Sequence, residues 1–169
     1  MRFDLDVKGI VFDRAKYERA IHQDLTECLT ACIKAWAEAT ALSIPVWKGW
    51  ARGQIAYAPV HGASDLKSVV KARIPISPLV SSGTSPQSAG STYAESSVTI
   101  KKYIYQFEWQ STLSYYELNE TTDVSALGIH LTNPTPWRSL LAGDVAFMAA
   151  LDNFPFTRIR DFSKYLRFV

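Results

Sequence analysis

Hydrophobic residues recur every three or four positions from Arg14 to about Leu42, which predicts one long amphipathic helix. Asp13 is suited to cap its first turn, and Pro45 ends it because proline forces the preceding residue out of helical geometry. The positions between the hydrophobic residues are mostly polar and include Asp24. The helix would be about 42 Å long, more than one compact domain of this size needs, so part of it is expected to serve a neighbour. The apolar stripe consists of Tyr17, Ile21, Leu25, Cys28, Leu29, Cys32, Ile33 and Trp36.

Alternation of apolar and polar residues predicts strands elsewhere in the chain. Residues 3–7 form a short half-buried strand in this interpretation, and Val69–Ile76 forms an edge strand that ends around Pro75. The clearest strand spans residues 99–112, and residues 115–118 either continue it or start its partner. One face of the clearest strand carries Tyr103, Tyr105, Phe107 and Trp109.

The segment from about 77 to 97 is predicted to be a long flexible loop. Between residues 81 and 97, eleven of seventeen positions are Ser, Gly or Thr, and only Tyr93 is a large apolar residue. Such a segment buries too little surface to offset its ordering entropy when alone. It is either a functional loop that becomes ordered on contact or a tolerated insertion.

A second helix is predicted near the C-terminus, with Thr135 as its N-cap and Pro136 at its first position. Residues 119–133 before it are expected to be irregular. The tail, residues 153–169, mixes aromatic and charged residues and is either a final strand or an arm laid on another subunit. The face of this helix predicted to be apolar carries Trp137, Leu140, Leu141, Val145, Met148 and Leu151.

These elements predict an α+β fold in a single domain spanning residues 1–169. A long N-terminal helix packs on a small, mainly antiparallel sheet, with a second helix near the C-terminus and a long flexible loop. A chain of 169 residues with 47% hydrophobic residues is large enough to build its own core.

The charge, the apolar segments and the cysteine spacing of the chain argue against several classes of function. The net charge is +2 and no dense basic run occurs, which disfavours a sequence-specific nucleic-acid binder. The first residues lack an apolar core, so we expect no signal peptide, and no apolar stretch is long enough for a membrane span. Cys28 and Cys32 are expected to pack as buried thiols, because no second pair completes a zinc site.

A search for catalytic or cofactor-binding motifs finds none of the familiar nucleotide, metal or nucleophile signatures. We therefore expect no cofactor, no metal and no enzymatic activity. Glu117, Glu120 and Asp123 are interpreted as a solvated turn at a strand end. A small hydrolase built on Glu117, Glu120 and one of the three histidines remains an alternative.

The stretch "SIPVWKGWARGQ", residues 43–54, places two tryptophans around a glycine. It could form a ligand slot, a base-stacking platform or a packed corner. Few cations and few polar groups surround the aromatics, which disfavours the first two. We therefore predict a structural corner formed by Pro45, Trp47, Gly49, Trp50 and Arg52.

The same stretch, "IPVWKGWARGQI", resembles the "P-V-x-[TS]-G-x-x-R" corner of tailed-bacteriophage neck proteins, the tail-completion or head–tail joining family that includes minor capsid and tail-component proteins. Downstream, "YYELNE" and "PTPWRSLLAG" resemble the tyrosine-rich and proline-led elements of that family, and the likeness covers roughly residues 10 to 150. The pattern departs at Lys48, Trp137 and Leu141, and the family's "E-x-G-T" is absent because Leu118 and Asn119 follow Glu117.

The resemblance implies a structural virion protein, synthesised in the host cytoplasm and located in the phage neck. Copies are expected to form a ring, six-fold by expectation, between the connector or head-completion protein and the tail terminator or tail-tube protein. DNA would pass through the lumen without sequence-specific binding, and no membrane is involved. A tail terminator is a close variant. Candidate assembly contacts are Ser82, Gly83, Thr84, Gly90, Tyr93, Phe154, Phe156, Tyr165 and Phe168.

An alternative of a different class is a non-viral soluble binding module. It would use an aromatic cleft near Trp47, Trp50 and Trp109. Such a module is expected to stay a monomer or dimer, whereas a neck protein is expected to form rings.

Overall fold

A computed structural model of the chain describes residues 9–44, 55, 60–61, 94–101, 104–113, 116–122 and 136–168. The predicted strands at 3–7 and at Val69–Ile76 lie outside the described residues, as does the predicted loop between 77 and 93. The elements are, in chain order, β1 (Ile10–Phe12), α1 (Arg14–Ser43), β2 (Val60–His61), β3 (Ala94–Lys101), β4 (Ile104–Ser111), α2 (Tyr116–Thr121), α3 (Ser139–Asp152), the 3-10 helix η1 (Phe162–Tyr165) and β5 (Leu166–Phe168).

The long helix α1 follows the sequence pattern closely. Asp13 caps it as predicted, because its carboxylate accepts a hydrogen bond from the backbone N–H of Lys16 at 3.0 Å. The helix ends at Ser43, and Ile44 is already extended. Its 30 residues make it about 45 Å long. The buried positions are Ala20, Asp24, Cys28, Leu29, Cys32, Ile33, Trp36, Ala37, Thr40 and Ala41.

The sheet that faces α1 is a hairpin with a short third strand. β3 and β4 pair antiparallel over eight positions, from Ala94↔Ser111 to Lys101↔Ile104, and β2 pairs with β3 in parallel. The single strand predicted over 99–112 is therefore two strands, because the chain reverses between Lys101 and Ile104. The last four residues of the predicted 77–97 loop likewise belong to β3.

Two adjoining hydrophobic clusters lie between α1, the sheet and α3. One buries Leu29 and Ile33 of α1 against Val98 of β3. The other centres on Trp36 and is joined by Phe107 and Trp109 of β4, as the alternating pattern of β4 predicted. Phe147 of α3 packs against both clusters, so its ring connects α3 to both parts of the core.

The C-terminal segment returns to the start of the chain. β5 pairs antiparallel with β1, with Ile10 opposite Phe168 and Phe12 opposite Leu166. The backbone N–H of Asp13 also donates to the carbonyl of Tyr165 at 2.7 Å. Of the two alternatives for the tail, the described residues form a final strand on the chain's own N-terminal end.

The α+β fold class is confirmed, with a long N-terminal helix on a small, mainly antiparallel sheet and a second helix near the C-terminus. One element type and one helix boundary were predicted wrongly. Residues from Tyr116 to Thr121 form a helix rather than a strand or an irregular stretch, and α3 begins at Ser139 rather than at Pro136. Arg138 explains the later start, because its left-handed backbone (φ 52°) lies outside helical geometry. Thr135 lies outside the described residues.

Candidate assembly surfaces and an aromatic cleft

The start of α3 is held by a carboxylate from another helix. Glu120 of α2 accepts hydrogen bonds from the backbone N–H of Leu140 at 2.7 Å and from the hydroxyl of Ser139 at 2.6 Å. Ser139 donates to Glu120, so its oxygen is left to accept from the hydroxyl of Tyr116 at 2.8 Å. All three polar side chains are buried. Glu120 therefore supplies the capping interaction that no side chain at Arg138 provides.

This arrangement corrects the prediction of a solvated carboxylate turn. Glu120 is only 7% exposed, and both of its oxygens are occupied by the start of α3. Burial raises the pKa of Tyr116, and the neighbouring Glu120 charge raises it further, against the effect of the Ser139 hydrogen bond. The phenol thus stays protonated at neutral pH and remains a donor. Nothing in the sequence signalled this contact, because Glu120 and Ser139 are 19 positions apart.

Gly143 sets how closely α3 approaches α1. A Cβ atom at this position would collide with the Thr40 side chain and would lie 2.8 Å from Cδ1 and Nε1 of Trp36. The Trp36 indole N–H donates to Asp144 at 3.2 Å, which fixes the ring beside the glycine. Small residues, rather than large apolar ones, therefore form the closest part of the helix–helix contact.

Because Ser139 and Gly143 face inward, the helix presents large apolar side chains outward. Leu141, Val145 and Met148 are 59%, 62% and 53% exposed. We call these three residues the α3 stripe. These residues belong to the face predicted to be apolar, and at these positions that face points outward, since α3 is apolar on nearly every side and its pattern does not distinguish inside from outside. A helix of this kind is usually covered all round.

The segment after α3 is fastened to α1 by a buried ion pair. Asp24 is fully buried and accepts from the Arg158 guanidinium at 2.7 Å and from the backbone N–H groups of Arg158 and Ile159. The same guanidinium contacts Glu27 through two hydrogen bonds of 2.7 and 2.8 Å. Burial alone would raise the pKa of Asp24, but the hydrogen bonds from Arg158 and Ile159 outweigh it and hold the pKa below its ordinary value.

Asp24 belongs to the polar positions of the predicted helix, yet it is buried. Its partners lie 134 and 135 positions later in the chain, so helical periodicity could not reveal them. Tyr165 completes the attachment, because its hydroxyl donates to the carbonyl of Arg158 at 2.7 Å.

An aromatic cluster attaches the β1–β5 ribbon, residues 10–12 and 166–168, to the first turns of α1. Tyr17 packs against Tyr165 and Phe162 with ring centroids 5.0 and 5.1 Å apart, and Phe12 lies 5.3 Å from Tyr17. Outside this cluster the ribbon is poorly covered. Ile10 is 59% exposed and its cross-strand partner Phe168 is 78% exposed.

A cleft of about 900 Å³ opens between β4, α2 and α3. Its walls include Trp36, Phe107, Trp109, Tyr116 and Phe147, with Glu120 and Asp144 as charged groups. The indole N–H of Trp109 is buried and has no hydrogen-bond partner among the described residues. Its volume falls within the range of small-molecule sites.

The two cysteines behave as the sequence indicated, as far as their burial goes. Cys28 and Cys32 are both free and buried. Burial raises the pKa of both thiols, that of Cys32 to about 12. At neutral pH they are protonated and pack as small hydrophobic groups.

Most of the predicted site residues lie outside the described part of the chain. These are Pro45, Trp47, Gly49, Trp50, Arg52, Ser82, Gly83, Thr84, Gly90 and Tyr93. Ile44 and Ile55, on either side of the predicted corner, are both fully buried in the Trp36 cluster. The corner itself stays a prediction.

The four described candidates for assembly contacts are not equivalent. Tyr165 is 4% exposed and is used within its own chain, so its ring is not available to another copy in this conformation. Phe154 and Phe156 are partly exposed and pack against each other, with ring centroids 5.0 Å apart. Phe168 is freely accessible. The residues of the α3 stripe were not among the predicted assembly contacts.

The residues considered for hydrolysis are not brought together in the described structure. The side chains of Glu117 and His61 and the whole of His130 lie outside the description, while His22 Nδ1 is hydrogen-bonded to the Tyr105 hydroxyl at 2.8 Å. Within the described residues, no group of three His, Cys, Asp or Glu side chains is placed to hold a metal ion. The described helices include none with the length and hydropathy needed to cross a bilayer.

Comparisons with known proteins give no relatives. No protein-family model, no curated protein and no solved structure matches the chain.

Proposed function

We propose that this chain is a structural subunit of the neck of a tailed bacteriophage, where copies form a ring that joins the head connector to the tail. The motif resemblance around "IPVWKGWARGQI" gives the proposal its family. It is carried structurally by one observation: a well-packed core leaves the α3 stripe and the β1–β5 ribbon uncovered. Scattered apolar residues on a surface are ordinary, but a stripe along one helix indicates a contact with protein.

The attachment of the C-terminal segment supports this role. The ion pair of Asp24 with Arg158 and the aromatic cluster around Tyr17 hold the ribbon in place. A surface held rigidly before binding loses little conformational entropy when a partner docks. The net charge of +2 is also compatible with a ring that lets DNA pass without gripping it.

The proposal is tested by removing the protein from the phage that encodes it. A nonsense mutation in this gene should yield filled heads and finished tails that stay separate under the electron microscope. Adding the purified wild-type protein to that lysate should restore joined, infectious particles. Joined particles in the absence of the protein would refute the proposal.

The same experiment separates the tail-terminator variant. A protein that caps the tail tube controls where polymerisation stops, so its loss should give tails of abnormal length. Tails of uniform normal length that fail to attach support tail completion. Overlong tails would assign the chain to the terminator role instead.

A second candidate function is a ligand-binding module that uses the aromatic cleft. It is favoured by the Trp109 N–H, which has no partner within the described part of the chain, in a cleft of about 900 Å³. Of the tryptophans predicted to form such a cleft, Trp109 lines it, and Trp47 and Trp50 lie outside the described residues. A screen of aromatic cations and heterocycles by tryptophan fluorescence would test it. Saturable binding that a Trp109→Phe variant loses would support this function, and an empty screen would argue against it.

A further inference from the structure

We infer that the α3 stripe of one copy packs on the β1–β5 ribbon of the next copy, so that the chain assembles head to tail. This inference rests on the proposed ring and specifies its interface. A ring built from one kind of contact requires two different surfaces on every subunit. The stripe and the ribbon are two such surfaces, and each is apolar and uncovered.

The positions of the two surfaces allow both to be occupied at once. The stripe belongs to the helix that contacts Trp36 and Thr40 near the end of α1. The ribbon is attached to Asp13 and Tyr17 at the beginning of α1. Tyr17 and Trp36 lie on the same helix, and their separation of 19 residues corresponds to about 28 Å along it. Neighbours bound at the two surfaces would therefore not compete.

The charges around the two surfaces are complementary. Within α3 the charged residues are Asp144 and Asp152, which are both acidic and exposed. Between Arg160 and Phe168 there are three basic residues and one acidic residue. Lys164 lies 3.5 Å from Asp161 and Arg167 lies 3.7 Å from Asp13, which leaves the ribbon end with a net positive charge. Stripe against ribbon therefore brings charges of opposite net sign together, whereas stripe against stripe brings acidic groups together. The basic residues are Arg160, Lys164 and Arg167, and the acidic residue is Asp161.

The available area also favours the mixed pairing over a stripe dimer. The three half-exposed stripe residues offer on the order of 200 Å² of apolar surface, so two stripes fall far short of a stable interface. One stripe, together with the exposed parts of the ribbon residues Ile10, Leu166 and Phe168 and of the neighbouring Phe162, provides about 600 Å² of apolar surface. At the usual apolar share of slightly over half, this corresponds to about 1,000 Å² in total, the lower bound for a specific contact.

Two variants, each blocking one surface, test the inference. Val145→Glu places a charge in the centre of the stripe, and Phe168→Glu places one at the end of the ribbon. Both side chains are mostly exposed, so the folded subunit should survive. Ile104→Glu is the matched control, because Ile104 is 48% exposed and belongs to neither surface. Circular dichroism and the melting temperature establish that each variant is folded.

The readout is the mass distribution in native mass spectrometry. The wild type and Ile104→Glu should form assemblies larger than a dimer, while Val145→Glu alone and Phe168→Glu alone should be monomers. An equimolar mixture of the two blocked variants should give a heterodimer that grows no further, because one intact stripe and one intact ribbon remain between them.

Several results would overturn the inference. A wild type that stays monomeric at every concentration would do so, as would a Phe168→Glu variant that assembles normally. A dimer lost only in Val145→Glu would indicate stripe-to-stripe pairing. The outcome is separable from that of the neck proposal. If the mixture forms a heterodimer but the wild-type protein does not restore joined particles, head-to-tail assembly stands and the neck function is rejected. If each blocked variant restores joined particles, only the proposed interface is rejected.

Discussion

The two ends of α1 are held by different chemistry. At the C-terminal end, Gly143 lets α3 approach within van der Waals contact, and the Glu120 carboxylate is enclosed together with its donors. At the N-terminal end, an ion pair at Asp24 and a cluster of aromatic rings around Tyr17 hold a two-stranded ribbon. The first end packs tightly against its own chain, whereas the second carries apolar side chains that its own chain covers poorly.

This difference separates the part of the molecule that supplies stability from the part that is available for contacts. A two-stranded ribbon is only marginally stable by itself, so it needs the ion pair and the rings that attach it to α1. The α3 helix combines both roles, because its small residues face α1 and its large ones at Leu141, Val145 and Met148 face outward. Substitutions at the two kinds of position should therefore have very different effects.

The largest effect is expected for Gly143→Ala. The added methyl group collides with Thr40 and presses on Trp36, so the helices must separate and the cluster around Trp36 loosens. We expect a loss of about 3 kcal/mol in the free energy of unfolding, measured by urea denaturation. The control is Gly9→Ala, since a Cβ atom there meets nothing within 4 Å. Equal stability of both variants would mean that α3 does not approach α1 this closely.

The second-largest loss of stability is expected when the buried carboxylate of Glu120 is removed. Glu120→Ala leaves the N–H of Leu140 and the hydroxyl of Ser139 without an acceptor in a buried site. The free energy of unfolding should fall by about 2 kcal/mol. Glu38→Ala is the matched control, because Glu38 is half exposed and lies 4.0 Å from Lys34, so its loss should cost less than about 0.5 kcal/mol.

The ion pair at the other end should make stability depend on pH. The pKa of Asp24 is lowered in the folded protein, so the unfolded chain takes up a proton more readily at this group. The contribution of Asp24 is therefore present above about pH 4 and is lost as the pH falls below that value toward the folded pKa. Urea denaturation at a series of pH values measures it.

Asp24→Asn should remove this part of the pH dependence. It should also lower stability at neutral pH by about 1 to 2 kcal/mol, because the charge-assisted bonds to Arg158 are weakened. A variant with the same acid transition as the wild type would show that Asp24 does not form the buried pair.

The smallest effect on stability is expected for Val145→Glu. Val145 is 62% exposed, so a charge there should change the free energy of unfolding by less than about 0.5 kcal/mol. The contrast with Gly143→Ala, two positions away on the same helix, measures how sharply the inner and outer sides of α3 differ. A large loss of stability in Val145→Glu would mean that the stripe is part of the chain's own core.

The sequence predicted the parts of the fold that depend on local pattern. α1 was predicted because its apolar residues keep one period for 30 residues and Asp13 caps the first turn. The half-buried face of β4 was predicted for the same reason, since Tyr105, Phe107 and Trp109 alternate with polar residues. In both cases the information lies within a few neighbouring positions.

The failures arise where distant residues decide the structure. The sequence around Asp24 does not show that it pairs with Arg158. The sequence around Glu120 likewise does not show that it accepts a hydrogen bond from Ser139. Tyr116 belongs to a strand-forming sequence type but lies in a helix whose carbonyls at Asn119 and Glu120 bond to the segment before α3. The orientation of α3 could not be predicted, because glycine and serine, not the larger apolar residues, fit against α1.

The central claim is that this chain works by assembling through surfaces that its own fold leaves open. Electron microscopy of the purified wild-type protein, concentrated until its assembly state stops changing, tests that claim most directly. The account predicts class averages of a closed ring with a single subunit number and a central opening. Isolated monomers at the highest concentration, or dimers with two-fold symmetry, would contradict it.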